Sequence, residues 1–202
     1  MLTLPKLAYE YSALEPYIDE ETMKIHHTKH HQTYVDKLNA WLSWTEFESY
    51  TDSDLIKLVS DMSNYDDRIK PIIRNHWGGH INHTLFRESM SPNITNIEDF
   101  SELTEKILSD FWSIENFKKE FSDKALALFW SWWTWLELDN NKLQITNYPN
   151  QENPYMYNKK PILWLDLREH AYYLLNQNRR PEYISKRRNV INRENIQKNL
   201  TS

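Results

Sequence analysis

Residues 26–35 read HHTKHHQTYV, a dense run of histidines within a stretch of helical pattern. In a helix, His26 and His30 lie one turn apart on one face, and Tyr34 continues that row. His27 and His31, one position further along, form a second pair with the same spacing. A solvated polar face explains this spacing about as well as a functional cluster does, so the run by itself leaves both interpretations open.

Two further segments favour the functional interpretation. GGHINHTLF (78–86) offers His80 and His83, and DLREHAYYL offers Asp166 and His170, four positions apart. A lone Asp–His pair is more often structural, but three such segments in one chain indicate a metal site. Neutral imidazoles with a carboxylate suit iron, manganese or zinc rather than copper(I) or an iron–sulfur cluster. The carboxylate favours a redox-cycling metal, because its charge stabilises the higher oxidation state.

Helical periodicity continues on both sides of the first histidine run. Residues 19–87 have a helical pattern, which predicts two long helices joined around 40–55 as a hairpin. One apolar stripe with helical spacing comprises Leu55, Leu58, Val59 and Met62. MSPNITN, at 90–96, has little periodicity and predicts a linker. We therefore expect an N-terminal helical-hairpin domain over 1–89 and a linker over 90–97.

The pattern changes in the second half of the chain. Two apolar runs flank the polar turn DNNK, which predicts a β-hairpin, and a third short run follows. The predicted elements are helices at 103–111 and 117–128, strands at 133–138, 143–146 and 161–165, and helices at 171–178 and 183–191. The prediction is an α+β protein whose C-terminal α/β domain, 98–202, contains a small three-stranded antiparallel sheet.

Composition narrows the functional classes. The chain has 202 residues and a formal charge of -5, without a dense basic stretch, so we expect no nucleic-acid partner. It has no cysteine, which excludes disulfides and thiolate metal sites. No segment approaches the roughly 18 apolar residues that a membrane span needs. We therefore expect a cytoplasmic protein that does not bind a membrane.

The motifs and their order resemble those of the iron/manganese superoxide dismutases over nearly the whole chain. The motifs that carry the resemblance are LPKLAYEYSALEPYI, HHTKHHQTYV, GGHINHTLF, SWWTWL, NQENP, DLREHAYYL and RRPEYI. The resemblance implies conversion of superoxide to O₂ and H₂O₂ in a homodimer. It also implies one manganese or iron ion per subunit, held by His26, His83, Asp166 and His170.

The same resemblance implies roles around the metal. Tyr34 matches a tyrosine at the mouth of the site, and His30 lies beside it in the access channel. Gln151 matches a glutamine of the manganese-type members, whereas iron-type members place a glutamine where this chain has Gly79. Trp133 matches an aromatic residue that lines the site. The resemblance therefore favours manganese, or a site that tolerates both metals.

One acidic and one aromatic residue, Glu169 and Tyr173, match positions that lie at the dimer interface in the family. Glu169 and Tyr173 are expected to reach across to the partner's metal-ligand histidines and orient them. A mononuclear iron oxygenase is a weaker alternative, because it needs two histidines and one carboxylate with open positions. A second alternative is a catalytically impaired metal-binding or structural dimer descended from the enzyme.

Ten positions differ from the family, and they fall into only two kinds of replacement. The chain has only two glycines, where average usage of about 7% predicts roughly 14, but it has nine tryptophans. Tryptophan stands where relatives carry glycine at Trp44, Trp77, Trp112, Trp130, Trp132 and Trp164, and arginine stands where they carry tryptophan at Arg87, Arg168, Arg188 and Arg193.

Taken literally, these changes predict overpacking and buried, unpaired guanidinium groups. Our hypothesis is that the genome uses UGA for glycine and some arginine codons for tryptophan. The printed sequence would then come from translation with a code that reads UGA as tryptophan and those codons as arginine. The alternative is that the ten residues are real and that Arg168, between two ligands, impairs turnover.

Overall fold

The computed structural model describes residues 1–61, 67–129 and 132–202. The first helix begins after Asp19, whose carboxylate accepts a hydrogen bond from the Thr22 backbone N–H at 2.8 Å. Helix α1, Glu20–Ile25, continues through a π-helical segment, His26–His31, into α2, Gln32–Leu42. The histidine run is therefore π-helical rather than α-helical, a local widening that is frequent at functional sites.

The chain returns antiparallel to this helix. After the short helix α3, Asp52–Ser60, come α4, Lys70–Ile72, a π-helical segment, Ile73–Trp77, and α5, Gly78–Glu88. The apolar faces of the two arms pack against each other and against α3. Their buried cluster contains Leu38, Leu42, Phe47, Leu55, Leu58, Val59, Ile73, Trp77 and Ile81. The predicted helical hairpin is confirmed; Met62, the last residue of the predicted stripe, lies outside the described residues.

The C-terminal half starts with two amphipathic helices. Helix α6 is Ser101–Phe111 and α7 is Ile114–Leu126. The Ser113 side chain between them caps α7 by accepting a hydrogen bond from the Asn116 backbone N–H at 3.0 Å. Both helices bury apolar residues against the sheet that follows.

That sheet has three antiparallel strands in the order β2-β1-β3. The strands are β1, Trp133–Asp139, β2, Lys142–Tyr148, and β3, Lys160–Asp166. In the antiparallel pairing of β1 with β3, Trp133 lies opposite Asp166. The α+β class and the three-stranded sheet are confirmed, and β3 delivers one predicted ligand next to Trp133.

The C-terminal helices differ from the prediction. They are α8, Tyr173–Asn176, α9, Arg180–Arg187, and α10, Arg193–Thr201. Helix α10 was not predicted; the Asn192 side chain caps its first turn by accepting a hydrogen bond from the Asn195 backbone N–H at 3.2 Å. None of the helices in the described parts of the chain is long and apolar enough to cross a membrane.

Two of the unexpected tryptophans occupy left-handed backbone. Trp44 has φ 66° and Trp112 has φ 70°. Their side chains are 97% and 87% exposed. Glycine is the residue that adopts this conformation without steric cost, and it is the usual residue just past the end of a helix, where Trp112 stands after α6. Both positions therefore favour the hypothesis that glycine belongs there.

Three other tryptophans of that group, Trp77, Trp132 and Trp164, lie within or beside buried clusters of the described residues. Trp77 and Trp164 are fully buried, within two separate core clusters. Trp132 is partly buried beside the cluster around α8 and α9. The indole nitrogens of Trp77 and Trp164 have no hydrogen-bond partner. The expectation for Trp130 falls outside the described residues.

The expectation that the four arginines would be unpaired is wrong, because each guanidinium finds an acceptor. Arg87 donates to the carbonyl oxygen of Pro5 at 2.8 Å, Arg188 to that of Lys118 at 3.0 Å, and Arg193 to that of Thr95 at 2.5 Å. Arg168 pairs with Asp166. Arg188 and Arg193 also border a mainly apolar cavity of about 100 Å³ between the sheet and the surrounding helices.

Candidate metal centre

Four elements from both halves of the chain bring the four predicted ligands together. His26 comes from the first long helix, His83 from α5, Asp166 from the end of β3, and His170 from the turn after it. One donor atom from each residue lies within 4.8 Å of the other three. His26, His83 and Asp166 are buried and His170 is half-buried, so the cluster is largely shielded from water.

One histidine has a hydrogen bond that fixes its tautomer, and two others have an unpartnered nitrogen at the cluster. His83 Nδ1 lies 2.6 Å from the carbonyl oxygen of Gly79, so Nδ1 carries the proton and Nε2 keeps its lone pair. Nε2 of His26 and Nε2 of His170 lie 3.2 and 3.3 Å from Asp166 Oδ2. Neither of these two nitrogens has the geometry of a hydrogen bond to any partner. Buried polar atoms without partners are rare and indicate a missing cation or donor.

The protonation states suit metal binding. Burial lowers the pKa of His26 to about 4 and holds the pKa of His83 well below its usual value. Burial alone would raise the pKa of the Asp166 carboxyl, but the positive charge of Arg168 and the interactions with the neighbouring imidazoles of His170 and His26 together outweigh burial and hold it well below its usual range. At neutral pH two neutral imidazoles and a carboxylate therefore face one point, and a metal ion would not have to displace protons from them.

The donor chemistry fits manganese or iron. Three imidazole nitrogens and one carboxylate oxygen are the borderline-hard donors that these metals accept. The surrounding contacts fix the side chains: the His26 and His83 rings meet edge to face at 4.8 Å, and His83 meets Trp133 in the same way at 5.5 Å. These ring contacts pack His26 and His83 against each other and against Trp133.

A hydrogen-bonded network adjoins the donor set. Gln151 Nε2 donates to the Tyr34 hydroxyl at 2.7 Å. Gln151 Oε1 accepts from Asn82 Nδ2 at 3.2 Å and from Trp133 Nε1 at 3.3 Å. Because both donors approach the same amide oxygen, they fix which end of the amide faces Tyr34.

Matches to two family models cover nearly the whole chain. Residues 1–91 match the iron/manganese superoxide dismutases, alpha-hairpin domain, and residues 99–199 match the iron/manganese superoxide dismutases, C-terminal domain. The chain belongs to the iron/manganese superoxide dismutase family. The predicted recognition is confirmed, and the histidine–aspartate cluster is compatible with the manganese or iron that this family uses.

Both glycines of this superoxide dismutase family member lie beneath the network. A Cβ atom on Gly79 would lie 2.3 Å from Tyr34 Cδ1, and one on Gly78 would lie 2.4 Å from the carbonyl oxygen of Gln151. Any side chain at either position would displace a residue of the site. The space that a glutamine at Gly79 would need is filled by the Tyr34 ring.

Arg168 places a guanidinium group among the four candidate ligands. Its guanidinium makes two bonds to Asp166, Nε to Oδ1 at 3.0 Å and Nη2 to Oδ2 at 2.9 Å. Nη2 also lies 3.3 Å from His83 Nε2, and Nη1 lies 3.5 Å from the Tyr34 hydroxyl. Burial lowers the pKa of Arg168, but the Asp166 charge outweighs burial and raises it, so this group is a permanent cation inside the donor set.

Sequence reasoning missed Asn82 and Asn153, and it gave His31 and His80 no role beyond membership of the histidine-rich segments. Asn82 bonds Gln151 and accepts a hydrogen bond from Asn153 Nδ2 at 3.0 Å. His31 and His80 form a buried pair, with 2.7 Å between Nε2 and Nδ1. Asn82 and His80 both lie within GGHINHTLF, the segment that also contains His83. Their positions in the sequence do not distinguish a structural polar side chain from a metal ligand.

Three predicted residues lie at the edge of the site. His30 stacks on His170 with ring centroids 4.0 Å apart. Glu169 and Tyr173 are exposed, and Tyr173 is 52% exposed. Their assigned roles, in the access channel and across a dimer interface, remain predictions.

A cleft of about 460 Å³ leads from the surface to the network. Its lining residues are Tyr34, Asn75, His76, Asn150, Gln151 and Arg168. Tyr34 and Arg168 thus lie between this cleft and the metal ligands, which places them where a small anion would approach.

Proposed function

We propose that this protein is a superoxide dismutase with one manganese or iron ion per subunit, bound by His26, His83, Asp166 and His170. The observation that carries the proposal is the convergence of four donor atoms within 4.8 Å, two of them buried nitrogens without a hydrogen-bond partner. Membership of the family supports the choice of superoxide as substrate.

The reaction converts two superoxide anions and two protons to O₂ and H₂O₂. A manganese or iron ion held by these four residues would supply the one-electron redox chemistry that this conversion needs. The protein's own residues hold the ligands in place, exclude bulk water and deliver the protons. The burial of His26, His83 and Asp166 serves the first two tasks.

Tyr34 and Gln151 are the residues that we assign to proton delivery. The Tyr34 oxygen accepts a hydrogen bond from Gln151, so its own hydroxyl proton is available for donation to the reduced product. Gln151 cannot rotate without losing its bonds from Asn82 and Trp133. This fixed orientation keeps Tyr34 in donating geometry, which is the requirement for general acid catalysis.

Manganese is the metal that we favour. The Gln151 side chain approaches the site from the C-terminal domain, as the resemblance to manganese-type members implies, and the Tyr34 ring occupies the space that a glutamine at Gly79 would need. We further propose a homodimer, with Glu169 and Tyr173 on the face that meets the partner. Both side chains are exposed in the single chain.

Substitution of the ligands tests the site. We expect His26→Ala, His83→Ala, Asp166→Ala and His170→Ala each to lose bound manganese and superoxide-consuming activity together. His27→Ala is the matched control. Its ring lies in the same helix but bonds Tyr11 and Pro5 rather than the cluster, so metal content should stay unchanged. Full metal content in any one of the four alanine variants would exclude that residue as a ligand.

The second candidate is a metal-binding or structural dimer that has lost turnover. The contact of Arg168 with Asp166 and His83 favours it, because a cation in the donor set opposes the higher oxidation state of a cycling metal. Stoichiometric metal without superoxide loss in the purified protein would support this candidate over the enzyme.

A further inference from the structure

We propose that Arg168 competes with the metal ion for its ligands. The Arg168 guanidinium binds the same donor atoms that the ion needs, so it must leave them before an ion can bind. The inference rests on the proposed metal site and concerns how tightly that site binds.

The contacts of Arg168 define the competition. The guanidinium engages both oxygens of Asp166, at 3.0 and 2.9 Å, and lies 3.3 Å from His83 Nε2. It thereby engages donor atoms of two of the four ligands. The backbone N–H of Arg168 adds a third bond to Asp166 Oδ1 at 3.0 Å, which holds the two residues together at the end of β3.

The surroundings keep the guanidinium in this position. The Arg168 side chain is 10% exposed and Asp166 is fully buried, so water does not compete for either charge. The guanidinium carbon lies 4.6 Å from the centre of the Trp133 ring, within the range of a cation–π contact. Arg168 is therefore a well-held occupant rather than a surface arginine that happens to lie near the site.

Metal binding must then exchange one cation for another. A divalent ion at the cluster gains Asp166 and His83 only when Arg168 releases them, and the displaced guanidinium loses a charge-assisted, bidentate pair. Two positive charges in one buried donor set also repel each other. Replacing Arg168 with an uncharged residue should therefore strengthen metal binding, although it removes hydrogen bonds from the metal-free protein.

Titration with Mn²⁺ against a fluorescent chelator tests the proposal in Arg168→Trp and Arg168→Met. We expect a roughly 10- to 100-fold lower dissociation constant in both, the range that a charge-assisted hydrogen-bonded pair represents. Arg188→Trp is the matched control: it makes the same substitution and charge change, but Arg188 contacts Lys118 and Ser122 in α7 rather than the site. Its dissociation constant should equal that of the unsubstituted chain.

Thermal unfolding gives an independent measurement. Metal-free Arg168→Met should unfold at a lower temperature than the unsubstituted protein, because Asp166 is left buried without its partner. Mn²⁺ should raise its unfolding temperature by more than it raises that of the unsubstituted protein.

The outcomes separate the two proposals. Equal dissociation constants, within about twofold, in Arg168→Met and the unsubstituted chain would overturn the competition. Absence of Mn²⁺ binding from both folded Arg168 variants and from the unsubstituted chain would instead overturn the metal site itself. Tighter binding in Arg188→Trp as well would assign the effect to net charge and overturn the specific role of Arg168.

Discussion

Replacing two exposed tryptophans with glycine should stabilise this protein. Trp44 and Trp112 have φ of 66° and 70°, in the left-handed region, and are 97% and 87% exposed. A side chain in this region costs about 1–2 kcal/mol relative to glycine. The greater freedom of glycine in the unfolded chain offsets about 0.5–1 kcal/mol of that. Since almost no buried surface is lost, each substitution should raise the free energy of unfolding by roughly 0.5–1 kcal/mol.

Urea unfolding followed by far-ultraviolet circular dichroism measures this effect without relying on tryptophan fluorescence. Trp44 and Trp112 lie in different domains, so the double variant should gain the sum of the two increments. Trp41→Gly is the control: Trp41 lies in α2 and stacks on Phe47 with ring centroids 5.5 Å apart, so it should be destabilised. Losses at Trp44 and Trp112 as large as the loss at Trp41 would refute the conformational reasoning and weaken the hypothesis that glycine is the encoded residue.

Three further predictions concern the site. Gly79→Ala should lower superoxide turnover per bound metal by up to about 100-fold, because its Cβ would lie 2.3 Å from Tyr34 Cδ1; unchanged turnover would contradict this. Gln151→Leu should cost about 1–3 kcal/mol in urea unfolding by leaving Trp133 Nε1 unpaired, and an unchanged midpoint would count against the network. Burial lowers the pKa of His31 below its unfolded value of 6.5, so the unfolded chain binds the proton first and stability of the metal-free protein should fall as pH drops below 6.5. His31→Phe should reduce this slope by up to about 1.4 kcal/mol per pH unit, whereas an equal slope in both proteins would be inconsistent with a buried neutral His31.

Much of the fold was predictable because its signals are local. Two apolar runs on either side of the polar turn DNNK predicted the hairpin of β1 and β2, and helical periodicity predicted the two arms of the N-terminal domain. The π-helical segment His26–His31 was not predictable, since its residues carry the same spacing as an α-helix. Helix α10 was missed because its single buried residue, Ile196, makes a weak apolar stripe.

The metal ligands of the candidate site were predictable because their residue types, histidine and aspartate, are those that bind metals. Histidines and an aspartate in three segments indicated a metal, and the structure brings the four residues together. The contacts of Arg168 could not be read from the sequence, because they depend on the turn after β3 folding its side chain back onto Asp166. The expectation of unpaired arginines failed for a related reason: backbone carbonyl groups, which a sequence does not place, satisfy Arg87 and Arg193.

Superoxide decay, measured directly by stopped-flow absorbance on protein purified from its own organism, tests the proposed activity most directly. Bound manganese and iron should be quantified in the same sample, and its intact mass should be recorded to identify the residues at the ten divergent positions. We predict catalytic loss of superoxide in proportion to bound metal. Stoichiometric metal at the site with superoxide decaying only at its uncatalysed rate would contradict the assignment of this chain as a dismutase.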